Sequence, residues 1–133
     1  MNAVSAHENQ AVIVLIVEDE EPIALVLSFM VEDYGYTPLV AKHGKEALAY
    51  MTDHHPSLIF TDLMMPQMNG AEFIAALDAQ GWRNGGRNAI ILMSAAGEAN
   101  MQHIKADAFL LKPFELAQVE ALLQRYLGDS QPT

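Results

Sequence analysis

The chain has 133 residues, 51% of them hydrophobic, with 17 acidic against 7 basic residues and a formal net charge of −10. That length fits one domain with a real core, the composition excludes wholesale disorder, and no run of about 18 apolar residues offers a transmembrane helix. The acidity argues against direct nucleic-acid binding and against docking on an anionic membrane, while the absence of cysteine excludes disulfides and thiol chemistry and fits a reducing cytoplasm.

Met1 to Gln10 is a polar tail without the apolar run of a signal peptide. Val12 to Val17 reads as a buried strand, ended by Glu18 and Asp19. Pro22 suits a first helical turn, where its missing N–H is not needed. Ile23, Val26, Leu27, Met30, Val31 and Tyr34 then share one helical face, and Gly35 stops the helix. Thr37 to Ala41 is a short strand. Lys45 to Thr52 is a helix with Ala47, Leu48 and Met51 inward.

A third strand, Leu58 to Thr61, ends at Asp62. The loop Met64-Met65-Pro66-Gln67-Met68-Asn69-Gly70 leads into a helix over Ala71 to Gln80, with Phe73, Ile74 and Leu77 inward and Gly81 as its stop. Trp82 to Asn88, with Gly85-Gly86, is a loop. Ala89 to Met93 is a fourth strand ending at Ser94, and only a short helix fits between Glu98 and Lys105. Phe109 to Leu111 is a fifth strand ending at Lys112. Glu115 to Leu127 is a last amphipathic helix with Leu116, Val119, Leu123 and Tyr126 on one face. The domain thus spans residues 11–127, between tails at 1–10 and 128–133. Five strands alternating with helices imply a doubly wound α/β fold with a parallel sheet buried on both faces.

The polar residues fall at the strand ends, the edge where open parallel sheets bind ligands. Two acidic sites (Glu18-Asp19 and Asp62), the Ser94 hydroxyl and the Lys112 amine together form the set that phosphoryl transfer to a carboxylate needs. Clustered carboxylates repel unless a cation joins them, and hard oxygen ligands favour Mg²⁺. Singly, each has a plainer reading. Glu18-Asp19-Glu20-Glu21 is also a solvated acidic turn before a helix, Asp62 a turn cap, Ser94 a structural polar residue and Lys112-Pro113 a surface lysine before a turn. Lys112-Pro113 can also take the cis isomer.

Val17-Glu18-Asp19-Glu20, Thr61 through Gly70, Ser94-Ala95 and Lys112-Pro113-Phe114 occur in an order and placement that strongly resemble the receiver domain of two-component response regulators. The resemblance covers about residues 11–127. It implies a flavodoxin-like five-stranded sheet in the order 2-1-3-4-5, with Asp62 as phosphoacceptor. It further implies Mg²⁺ held by Asp19, Glu18, Asp62 and the backbone carbonyl of Met64. Lys112 and Ser94 would meet phosphoryl oxygens. A switch would pair Ser94 with Phe109, which also reads as an ordinary core aromatic. Pro66 and Gly70 would shape the acceptor loop. The implied protein is a cytoplasmic phosphorelay component rather than an enzyme, either a stand-alone receiver or one excised from a larger protein. It would be phosphorylated by a histidine kinase or phosphotransfer protein and would signal through a downstream protein effector.

Two rival readings are a phosphatase of the haloacid dehalogenase type and a receiver-like binding module without phosphotransfer. The first needs an acid two residues after Asp62, where Met64 stands; the intact acidic set argues against the second. His54-His55 reads as a solvated helix end, Met64, Met65 and Met68 as packing under the loop, and Gly85-Gly86 as no phosphate loop.

Two departures from the family pattern stand out. Lys112 follows Ser94 by only 18 positions, which shortens the helix between the fourth and fifth strands. Lys105-Ala106-Asp107 stands where Gly-Ala-Asp is usual, so a left-handed helix ending is disfavoured there. Both fall on the family's output face, so signalling is expected to differ more than chemistry. Met64 and Ala96 cannot position an attacking water, so slow self-dephosphorylation is expected.

Overall fold

The computed structural model describes residues 11–83, 88–95 and 103–128. The strands are β1 (Ile13–Val17), β2 (Thr37–Ala41), β3 (Leu58–Asp62), β4 (Ala89–Ser94) and β5 (Ala108–Leu111). The helices are α1 (Glu21–Asp33), α2 (Gly44–Met51), α3 (Gly70–Gln80) and α4 (Leu116–Leu127). All pairings are parallel, in the order β2-β1-β3-β4-β5, as expected. Most of the short helix expected at Glu98 to Lys105, the centre of the Trp82 to Asn88 loop and the two tails lie outside the described residues.

Successive strand residues face opposite ways, so the near-continuous apolar strands build two cores. Leu15, Val17, Ile59, Ile90 and Leu92 pack with Ala47 and Met51 of α2 and Phe73, Ile74 and Leu77 of α3. Val14, Ile16, Leu58, Phe60, Ile91 and Met93 pack with Ala24, Leu27 and Val31 of α1 and Val119 and Leu123 of α4. Strand β3 is buried along its whole length.

Two expected inward residues turn out. Val26 is 40% exposed and Leu116 is 56% exposed. In α1 the small Ala24 takes an inward place instead, packed with Leu27 and Val31 in the core on that face, and the buried stripe is narrower than the apolar one. Leu25 and Phe29, at 55% and 60% exposure, extend the apolar surface of α1 into solvent.

Local chemistry fixes where the helices begin and end. Asn69 caps α3: its side chain accepts from the Glu72 N–H at 2.8 Å, and Glu72 accepts from the Asn69 N–H at 2.9 Å. Gly81 closes that helix in the left-handed region, φ 74°, while the Trp82 N–H reaches back to the Leu77 carbonyl at 2.9 Å. At α2, His43 Nδ1 accepts from the Glu46 N–H at 3.2 Å. The Glu46 carboxylate accepts from the Lys42 N–H at 2.7 Å and from the Tyr50 hydroxyl at 3.1 Å.

The usual left-handed ending is replaced at Lys105. Among the described residues other than glycine only Gln67 has a positive φ, 69°. The Ala106 N–H instead bonds the Ile104 carbonyl at 2.9 Å, a three-residue turn centred on Lys105 that a side chain tolerates.

Gly70 joins fold to site. A Cβ there would fall on the Asp62 carbonyl oxygen and lie 3.0 Å from Leu63 Cα and 3.1 Å from Leu92 Cδ1. Gly70→Ala should therefore destabilise the domain by about 1–3 kcal/mol; an unchanged urea midpoint would show that the backbone has room to spare. The hydrogen bond from the Lys42 amide chiefly holds Glu46 below its ordinary carboxylate range. A lowered folded pKa stabilises above the unfolded pKa and ceases to do so as pH falls through the folded value. Glu46→Gln should thus cost roughly 0.5 kcal/mol at pH 7 and nothing at a pH below the folded pKa, read by thermal melts across that range.

Candidate acceptor site and family

The site lies at the carboxyl ends of β1, β3, β4 and β5. Register does the positioning: Val17 pairs with Thr61, Asp62 with Met93, and Ser94 with Leu111. The side chains that follow or end these strands therefore meet on one edge. The Leu63 N–H bonds the Met93 carbonyl at 2.8 Å, the Gly70 N–H bonds the Leu63 carbonyl at 2.8 Å, and the Lys112 N–H bonds the Ser94 carbonyl at 3.0 Å. These bonds fix the backbone just after Asp62 and at Lys112.

Glu18 is 1% exposed and Asp62 5%, whereas Asp19 is exposed. One carboxylate oxygen from each lies within 4.8 Å of the others, the one such cluster among the described residues. Lys112 Nζ sits 2.9 Å from Glu18 Oε1 and 3.4 Å from Asp62 Oδ2. The other oxygen of Glu18, Oε2, accepts from the Glu20 N–H at 3.1 Å. Burial pushes the Glu18 carboxyl up to about 7, against the lowering effect of Lys112. Burial also raises Asp62, with Lys112 opposing. For Lys112 burial favours the neutral amine, but the Glu18 hydrogen bond and the two carboxylate charges outweigh it and keep the ammonium.

Two buried acids held next to each other, both strained toward protonation, make a place for added positive charge. Their donors are all carboxylate oxygens, the hard ligands that suit Mg²⁺. A cleft of about 590 Å³ opens over Asp62, lined by Glu20, Ile23, Met64, Ala95, Lys112 and Pro113. It leaves a substrate group direct access to the carboxylate.

The residues singled out from sequence mostly converge. Glu18, Asp19, Asp62 and Lys112 meet directly, and Ser94 is buried at the adjoining strand end. Lys112–Pro113 is cis. Phe109 is half-buried against the core of Leu92 and Ile104. Met65 and Met68 pack on that core as expected, but Met64 does not: it stands 71% exposed at the cleft rim. The loop passes over the site at that point, leaving its side chain no core to enter. His54 caps the end of α2, with Nδ1 3.1 Å from the Tyr50 carbonyl oxygen, and does not join a metal cluster.

Sequence reasoning missed two features. The Glu18–Lys112 ion pair joins residues 94 positions apart, and no local pattern announces it. The turn at Gln67, closed by Met68 N–H to the Pro66 carbonyl at 2.8 Å, puts a positive φ on a residue type that does not favour it.

Comparison with known proteins agrees with this geometry. The family model of the response regulator receiver domain matches residues 14–124. DivK of Brucella ovis, a polar-differentiation response regulator, is 29% identical over 119 residues, covering 88% of this chain and 97% of that protein. The alkaline phosphatase synthesis regulator PhoP of Bacillus subtilis is 30% identical over 122 residues, covering 89% of this chain but 49% of its own length. The chain likewise spans about half the length, 49%, of the ycf27 regulators it matches.

Among solved structures, chemotaxis response regulator CheY4 of Vibrio cholerae superposes with a TM-score of 0.79 at 29% identity, covering 88% of this chain and 99% of that one. The receiver domain of sensor histidine kinase PA1611 from Pseudomonas aeruginosa superposes with a TM-score of 0.78 at 26% identity, covering 90% and 99%. That structure carries a magnesium ion in its active-site cleft. The family model spans most of the chain and the sheet superposes on these receivers, so the chain belongs to the response regulator receiver domain family.

Proposed function

We propose that this protein is a phosphoryl-accepting switch, phosphorylated on Asp62 by a phosphohistidine donor and read by a protein partner. The observation that carries this reading is the single cluster of Asp62, Glu18, Asp19 and the Lys112 ammonium under an open cleft. Asp19, Glu18, Asp62 and the Met64 carbonyl would hold Mg²⁺, which when bound supplies charge neutralisation for the phosphoryl oxygens.

In the reaction a carboxylate oxygen of Asp62 attacks phosphorus in line. The P–N bond to the donor histidine breaks, and its electron pair returns to the imidazole. The cleft admits the phosphoryl group from one side only, since β3 and Gly70 close the other. Lys112 already stands 3.4 Å from Asp62, so its ammonium can meet a phosphoryl oxygen with little rearrangement. Ser94 supplies a hydroxyl to a second oxygen. Its movement toward the phosphoryl group, with Phe109 following, would be the switch that shifts the population of conformers. The chain turns over no external substrate in this scheme. We place it in the cytoplasm; among the described residues no helix is long and apolar enough to cross a membrane.

The donor protein also has a surface to meet. Leu25 lines a recess together with Glu18 and Asp19, and Phe29 is exposed one turn further along α1. An apolar strip that begins at the acid cluster suits a helical partner bringing a histidine to Asp62.

Asp62→Asn should take up no label from a phosphohistidine donor with Mg²⁺; labelling at the wild-type rate would refute the assignment. Phe29→Asp should slow transfer from the protein donor by about tenfold or more while leaving labelling by a small acyl phosphate unchanged. Equal losses with both donors would place the fault in the site and not in docking.

A further inference from the structure

We propose that Met64 is a reversible oxidation site whose sulfoxide shortens the life of the phosphoryl group on Asp62. The inference rests on the acceptor role given to Asp62 above. Met64 is 71% exposed, whereas Met51 and Met93 are buried and Met30, Met65 and Met68 are half-buried. Among the described residues it is therefore the methionine sulfur most open to a peroxide.

The step balances simply. A sulfur lone pair attacks one oxygen of hydrogen peroxide, the O–O bond breaks, and the products are methionine sulfoxide and water. Sulfur loses two electrons and the peroxide gains them. A thiol-dependent reductase returns the thioether.

Position gives the change its consequence. Met64 lines the cleft that holds Asp62 and Lys112, where Ile23, Ala95 and Pro113 supply an apolar wall. Hydrolysis of the aspartyl phosphate needs a water oriented at phosphorus. Of the polar side chains lining that cleft, Asp62 is itself esterified, Lys112 only donates, and the Glu20 carboxylate is repelled by phosphoryl oxygens. A thioether is a poor acceptor and leaves water unoriented. A sulfoxide oxygen is a strong acceptor at the same place. The water so held attacks phosphorus, the bond to the Asp62 oxygen breaks, its electrons return to the carboxylate, and the proton leaves with phosphate.

Two measurements test this. Graded hydrogen peroxide followed by peptide mass mapping should oxidise Met64 at least about tenfold faster than Met51 and Met93. The oxidised protein, labelled with a small acyl phosphate, should lose its label about tenfold faster than the untreated protein, and methionine sulfoxide reductase should restore the slow rate. In Met64→Leu, peroxide should leave the variant's own rate unchanged. Slow oxidation of Met64, an unchanged lifetime after its oxidation, or an equal peroxide response in Met64→Leu would each overturn the inference. Normal labelling with unchanged lifetime would sink this inference alone; no label in the untreated protein would sink the acceptor assignment with it.

Discussion

The ammonium of Lys112 is the contact on which the acidic edge depends. Glu18 and Asp62 are both buried, and like charges a few ångströms apart repel by some kcal/mol even at an effective dielectric near 20. Lys112, 2.9 Å from one and 3.4 Å from the other, is the group that lets both stay near ionisation. Such a buried arrangement is a poor investment if stability alone is considered, because apolar residues of the same volume usually serve as well. Its value is electrostatic readiness. Three carboxylates against one ammonium leave two formal negative charges, which a divalent ion would balance.

The fold supplies rigidity on one side of Asp62 and openness on the other. Behind it lie the fully buried β3, the Leu63 amide bonded to β4, and α3 pressed so close at Gly70 that no Cβ fits. In front lies the cleft, with the exposed Met64 at its rim. A carboxylate held from behind and free in front would need little reorganisation to take the acceptor role proposed for it. The same asymmetry explains why sites of this kind gather at strand ends: register aligns side chains from separate strands to within a few ångströms, and the loops beyond remain free to vary.

Much of this was legible in the sequence because it is encoded locally. Continuous apolar runs, Pro22 at a helix start, and Gly35 and Gly81 at helix ends each leave a short-range mark, and the structure follows them to within a residue or so. The acid cluster was legible for a different reason: polar residues ending apolar runs are out of place unless they share an edge. What escaped notice is non-local. Val26 and Leu116 are as apolar as their inward neighbours, and only the tertiary packing of each helix decides which residues are buried. The Glu18–Lys112 pair depends on closure of the whole sheet. Gln67 adopts its conformation because the loop must return to Gly70, not because of its own preference.

The end of the β4–β5 connection shows how a departure from a family pattern can be absorbed. Without a glycine to end a helix, the chain turns at Lys105, whose carbonyl accepts from Arg83 Nη1 at 2.7 Å. Arg83 also lies 3.6 Å from Asp78 and 3.5 Å from Asp107, both about two-fifths exposed, so the charges alone contribute little. The hydrogen bonds carry more. Asp107 accepts the Ile90 N–H at 2.7 Å and donates its own N–H to the Ile90 carbonyl at 2.8 Å, and the Tyr126 hydroxyl bonds the Asp107 carbonyl at 3.2 Å. The ends of α3 and α4 and the start of β4 thus converge on the residue before β5. Lys112 directly follows β5, so holding the residue before that strand helps set where the ammonium meets Asp62. The turn at Lys105 is thus absorbed by contacts of its neighbours, which hold the start of β5 without a glycine.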